Sequence, residues 1–183
     1  MEDQYIENGV RTRLILAGIN ELEKRGIKDF SLRKVALEAQ VSCAAPYRHF
    51  RDKEEFIVEI IKYIGSHWGL MCKQIKSIYK DDGRRLVIEL AVANLRFWLA
   101  NPNYRTVLMM ASSDTSVESE SFINFEQSLM QAVSDYSSEG AQAKKYTVRA
   151  LIYGSLMLVG KGYGAEDITK LFREKLEAEF PEI

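Results

Sequence analysis

Apolar residues recur at intervals of three and four along almost the whole chain, no stretch of any length alternates apolar with polar, and only three prolines interrupt the pattern. That spacing lays a single stripe along an α-helix and cannot line one face of a strand, so the chain is predicted to be all-α. With 183 residues, 46% of them apolar, it should bury roughly 70% of the surface its unfolded form exposes, enough for a core without metal or disulfide.

The punctuation divides this pattern into helices. Leu14, Ile15, Gly18, Ile19 and Leu22 mark the first, which closes at Lys24-Arg25-Gly26 with cations in its last turn and a glycine at the stop. Ser31 is a good N-cap for a second helix of about nine residues carrying Leu32, Val35, Ala36 and Ala39. Gln40-Val41-Ser42 breaks it, and Ser42 caps a further short helix to Phe50. A long stripe from Lys53 to Lys80 spans about 40 Å as a connector. Asp81-Asp82-Gly83 ends it, and Arg84 to Ala100 is apolar on most sides, as a central helix would be. Beyond Asn101-Pro102 come a short piece from Asn103 to Ala111, a polar loop over 112–116, and a helix through Phe122, Phe125, Leu129, Val133 and Tyr136. Two last helices are expected over about 144–160 and 166–180.

Charge is unevenly spread along this framework. Residues 11–53 hold ten Lys/Arg (Arg11, Arg13, Lys24, Arg25, Lys28, Arg33, Lys34, Arg48, Arg51 and Lys53) against five acids, a local +5, although the whole chain carries −1. One basic quarter on a neutral or acidic remainder is the asymmetry of a phosphate-binding module joined to a separate body. A helix, a three-residue turn and a short helix packed behind an earlier helix is also the arrangement that sets a short helix into the DNA major groove. In Ser42-Cys43-Ala44-Ala45-Pro46-Tyr47-Arg48-His49-Phe50, the small residues at the start permit close approach to base edges, where alanine methyls can meet thymine methyls. Tyr47 and His49 offer donors to phosphate oxygens. Phe50 reads as a core plug behind them.

Residues 29–57 carry Val41-Ser42 in the turn, then Tyr47-Arg48-His49-Phe50 and Asp52-Lys53-Glu54, and at these spacings the chain resembles the TetR-type transcriptional regulators. The resemblance covers roughly residues 8–60. It implies a three-helix DNA-binding head (residues 1–52) with a helix-turn-helix, joined by a long helix to a helical effector-binding and dimerising body (53–183). It places Tyr47, His49 and Lys53 at the DNA backbone, and Arg33, Cys43, Ala44, Ala45 and Arg48 at base edges or nearby phosphates; Ser31 and Ser42, which open the two helices, complete the expected DNA-binding set. Two positions depart from the pattern. The turn usually holds glycine where this chain has Gln40, and a left-handed backbone there costs a glutamine about 1 kcal/mol. Pro46 lies inside the recognition helix, tolerable because the first turn of a helix has unpartnered N–H groups anyway.

The function expected is a DNA-binding transcriptional regulator, a repressor released by a small apolar or aromatic effector. Its partners would be double-stranded DNA carrying a pseudo-palindromic operator and a second copy docked through residues 144–160 and 166–180. Phe97, Trp98, Tyr104, Met109, Phe122, Phe125, Met130, Tyr153 and Met157 are the candidate lining of the effector pocket, since such pockets are mostly apolar and lie between helices. The alternative is a helical ligand- or protein-binding module that keeps the fold without reading DNA. Enzyme chemistry finds no support: there are two histidines, no Gly-x-Ser-x-Gly and no phosphate-cradling glycine loop. No cofactor or metal is expected, because His67 and Cys72 stand five apart with no third ligand in register, and Cys43 reads as a contact residue rather than a redox switch. The opening residues lack a basic-then-apolar leader, and no apolar run approaches a membrane span, which points to the cytoplasm.

Overall fold

The computed structural model describes residues 2–104, 106, 120–137 and 139–182, with side chains described for residues 9–104, 106, 126–137 and 139–182. Among these residues every regular element is helical: α1 (Glu2–Arg25), α2 (Leu32–Glu38), α3 (Ala45–His49), α4 (Lys53–Ile78), α5 (Gly83–Ala100), α6 (Glu120–Tyr136), α7 (Ala141–Gly160) and α8 (Ala165–Glu179). The chain forms two compact units, one of residues 1–66 with 103–123, the other of residues 67–102 with 124–183. The division falls within α4. The helix expected over Asn103–Ala111 and the loop over 112–116 lie mostly outside the described residues.

In the first unit, α1 ends where its sequence says it should, with Gly26 at φ +72° and its N–H bonded to the Leu22 carbonyl at 2.8 Å. Leu14, Ile15, Ile19 and Leu22 are buried, and so are Val35 and Ala36 of α2 and Phe56, Ile57, Ile60, Ile61 and Ile64 of α4. Gly18 lets α1 and α4 approach: a Cβ there would collide with the Phe56 ring and lie 2.7 Å from Ile60 Cδ1. Phe56 is the centre of this core. Its ring meets Phe50 edge-on at 4.3 Å and lies 5.6 Å from Phe30, so the segments before α2 and after α3 are both anchored on α4. The start of α4 is capped by Asp52, which accepts the Glu55 N–H at 2.8 Å; that bond holds the Asp52 carboxyl below the ordinary carboxylate range.

In the second unit, α5 packs against both α7 and α8 and buries Val87, Leu90, Ala91 and Leu95. Gly83 opens this helix instead of merely closing the previous one, because the Asp82 carboxylate accepts the Arg85 N–H at 2.9 Å and so makes the same polar cluster an N-cap. Trp68 of α4 lies 5.7 Å from Phe97, which meets Trp98 at 5.4 Å. The end of the chain is tied down as well. Phe180 is fully buried, Arg84 donates to its carbonyl at 2.6 Å, and Tyr136 donates to the Pro181 carbonyl at 2.6 Å. α7 begins at Ala141, three residues earlier than its periodicity suggests, because Gly140 takes a left-handed φ of +70° and its carbonyl accepts the Lys144 N–H. No helix among the described residues is long and apolar enough to cross a membrane.

Candidate nucleic-acid interface

The turn between α2 and α3 is set by backbone hydrogen bonds. Val41 N–H reaches the Ala36 carbonyl at 3.0 Å and Gln40 N–H the Leu37 carbonyl at 3.1 Å, the paired bonds that close a helix through a left-handed residue. Gln40 is that residue, at φ +56°, and has the only positive φ of any described non-glycine residue. The departure from glycine is therefore absorbed as strain, and the turn keeps its geometry.

α3 is a single turn of five residues. Pro46 is its second residue, where a missing N–H costs nothing, and Phe50 N–H closes onto the Pro46 carbonyl at 2.9 Å. Ser42 does not cap this helix: Ala44 occupies the N-cap, and Ser42 contributes its backbone carbonyl to the Ala45 N–H at 2.9 Å. Ser31 stands at the N-cap of α2 with extended backbone, but its hydroxyl makes no cap bond.

A short helix can offer only one face outward. Arg33, Ser42, Cys43, Ala44, Tyr47 and Arg48 are exposed, Tyr47 to 63%, while Ser31, His49 and Lys53 are half-buried. Ala45 is a correction to the sequence reading. It is buried with Pro46 against the rest of the head, because one turn of helix that must also dock on α2 has to turn some of its side chains inward.

The basic count is also smaller than the sequence suggests. Arg11 is bonded to Glu59, Lys24 lies 3.4 Å from Glu38, Arg25 Nε 3.2 Å from Glu21, and Arg51 Nε 3.0 Å from Asp52. Glu38 also accepts from Asn20 at 3.0 Å, tying α2 to α1. Arg13, Lys28, Arg33, Lys34, Arg48 and Lys53 make no ion pair among the described residues, and Lys53 Nζ lies 3.4 Å from the Lys28 carbonyl. A face with several unengaged cations, an exposed tyrosine and small side chains at the helix start is able to bind a polyanion and approach base edges.

Of the nine residues expected to line an effector pocket, Phe97, Trp98 and Met130 are buried in the second unit, and Phe97 and Trp98 touch. Tyr104 is half-buried in the first unit, and burial pushes its hydroxyl pKa above the ordinary range. Tyr153 and Met157 lie on the outer face of α7, exposed to 48% and 66%, apart from the buried aromatic cluster. Met109 and the side chains of Phe122 and Phe125 lie outside the described residues. A polar cleft of about 780 Å³ in the second unit involves none of the nine; it is lined by Asp82, Arg84, Arg85, Glu89, Arg173 and others. Arg173 grips Glu89 there through two bonds of 2.7 and 2.9 Å, which hold the Glu89 carboxyl below its usual range. Cys72 is buried, and desolvation pushes its thiol up to about 11, so it remains an inert thiol at neutral pH. Among the described residues no group of three or more His, Cys, Asp or Glu could hold a metal ion.

Comparison with known proteins agrees with this geometry. Residues 14–60 match the family model of the bacterial regulatory proteins of the tetR family. A helix-turn-helix-type transcriptional regulator of Haemophilus influenzae is 28% identical over 174 residues, covering 92% of this chain and 83% of that one. The fold recurs in a transcriptional regulator from Aquifex aeolicus (TM-score 0.73, 16% identity, 93% of this chain and 99% of that one) and in a TetR-family regulator from Marinobacter aquaeolei (TM-score 0.73, 17% identity, 96% of each). The helical head, the outward reading face and these likenesses together lead to one conclusion: residues 14–60 form a head like that of the bacterial regulatory proteins of the tetR family, and the chain is a DNA-binding transcriptional regulator.

Proposed function

We propose that this regulator is a repressor that binds a pseudo-palindromic operator as a homodimer and is released by a small apolar or aromatic effector. Arg33, Cys43, Ala44 and Arg48 meet base edges or adjoining phosphates, with Ser31, Ser42, Tyr47, His49 and Lys53 fixing the backbone; Ala45 supports the helix from within. The single observation that carries this reading is the outer face of α2–turn–α3, where Arg33, Arg48 and Tyr47 are exposed around a small-residue helix start. The test is binding to duplex DNA as salt is raised. Affinity should fall steeply, with a log–log slope of about −0.9 for each phosphate neutralised. No detectable binding at 50 mM salt would sink the reading.

The second copy docks through residues 144–160 and 166–180. What supports this is that α7 is apolar on both sides: Val148, Ile152 and Leu156 are buried, while Tyr146, Tyr153, Met157 and Leu158 are exposed, Tyr146 to 74%. A cluster of exposed apolar and aromatic side chains along one helix face is the kind of surface that a partner covers. Gly154 on the same outer face has open space where a Cβ would stand, which leaves room for close helix crossing. Two heads then face half-sites roughly 34 Å apart. An effector held near Phe97, Trp98 and Met130 changes that spacing through α4, whose residues are shared between the two units. Mass spectrometry of small molecules released on denaturing the purified protein tests the effector; recovery of none from protein made in its native host argues against a resident apolar ligand.

A further inference from the structure

The DNA-binding reading treats the cations of the head as one pool, yet Arg11 differs from the rest. Its guanidinium stands 5.5 Å from the centre of the Phe50 ring and donates to the Glu59 carboxylate. Phe50 is the residue on which α3 ends, and Glu59 lies on α4, so one side chain of α1 grips the other two elements. Glu59 also accepts from Lys62 at 2.8 Å. Burial works against its ionisation, but the bonds from Lys62 and Arg11 outweigh it and hold the carboxyl below its usual range. Phe50 also meets the Phe56 ring at 4.3 Å, nearly perpendicular, so the end of the reading helix is held by both a cation and an aromatic ring.

We propose that Arg11 is a positioning residue for operator recognition: held by Glu59, it seats Phe50 and thereby fixes the angle at which α3 is offered to the groove, and it makes no phosphate contact itself. The proposal rests on the DNA-binding reading above. The planar guanidinium is what the role requires, since it stacks on the ring and bonds the carboxylate at once; lysine supplies charge without that geometry. Glu59 is the second half of the device, for its carboxylate accepts from the guanidinium and so fixes it beside the Phe50 ring.

Two readings of Arg11 give opposite signs in one experiment. The probes are duplexes enriched by the wild-type chain from a randomised pool and a shuffled duplex of the same composition, titrated from 50 to 300 mM KCl with thermal unfolding followed in parallel. A positioning role predicts that Arg11→Lys and Glu59→Gln each weaken binding to the enriched duplex by about tenfold, within the range usual for coupled sites, and leave shuffled-duplex affinity and the salt slope unchanged. A phosphate contact predicts instead that Arg11→Lys is silent, that Arg11→Gln lowers the slope by about 0.9, and that Glu59→Gln tightens binding to both duplexes by freeing the cation. That second pattern overturns the proposal. So does a weakening that tracks lost thermal stability across all three variants, which would make the device a general support of the head. Failure of the wild-type chain to bind either duplex overturns the DNA-binding reading and this proposal with it.

Discussion

The reading face of the head and the outer face of α7 are both exposed, but they differ in what they expose. The head offers Arg33, Ser42, Ala44, Tyr47 and Arg48 around a one-turn helix; α7 offers Tyr146, Tyr153, Met157 and Leu158 along four turns. The first is stable in water and gains from a polyanion through charge and released counterions. The second gains only by losing water, at roughly 25 cal/mol for each Å² of apolar surface covered. The chemistry of an exposed face thus names its partner class. A sequence reading based on hydrophobic periodicity sees both as parts of ordinary helices, although one suits DNA and the other, on the proposal above, a second copy.

The strongest way to break the comparison is to remove the support of one face and watch the other. Phe56 is fully buried at the meeting point of Gly18, Phe30 and Phe50, so Phe56→Ala should destabilise the head by about 3–5 kcal/mol. Calorimetry should show the head melting early, with loss of DNA binding, while light scattering still reports the wild-type mass. Loss of the dimer in this variant would mean that the two faces do not act independently.

The reciprocal change is Met157→Glu. Facing copies would oppose carboxylates in a desolvated contact, which costs several kcal/mol and should leave monomer at micromolar concentration. Binding to a single half-site should persist at non-specific strength, and affinity for the paired operator should fall by orders of magnitude. A dimeric Met157→Glu protein would move the interface away from α7. A smaller effect is expected at Ala44→Asp, which adds one negative charge to an exposed position outside the core. It should cost about 1–3 kcal/mol of operator binding, the scale of one disrupted base contact, with mass and melting unchanged. An unaffected operator affinity would take Ala44 out of the groove.

Much of this was legible in sequence because it is local. Gly26 stops α1, the α2 stripe buries Val35 and Ala36, and the long α4 stripe buries Phe56, Ile60 and Ile64, each from spacing that a helix translates directly into a face. What escaped was non-local or too short to have a face. Ala45 turns inward because α3 is one turn long and must still dock, which no periodicity of five residues can express. Arg11 and Glu59 stand 48 positions apart, and nothing in either neighbourhood marks them as partners. Counting cations therefore overstated the charge left for phosphate: Arg11, Lys24, Arg25 and Arg51 look alike in sequence but are already engaged by carboxylates in the fold.

The smallest effect is also the cleanest probe of the head alone. Gln40 holds φ +56° in the turn before the reading helix, with its side chain exposed and its N–H committed to the Leu37 carbonyl. Replacing it with glycine removes about 1–2 kcal/mol of left-handed strain. Part of that gain is returned, because glycine has more freedom to lose from the unfolded chain, about 0.4–1 kcal/mol. Gln40→Gly should therefore stabilise the head by about 0.5–1 kcal/mol and raise its melting transition by a few degrees. Because the turn already has the required geometry, operator affinity, salt slope and dimer mass should stay at wild-type values. A fall in stability would show that the glutamine side chain contributes more than its backbone costs; a change in operator affinity would show that strain in this turn tunes the angle of α3.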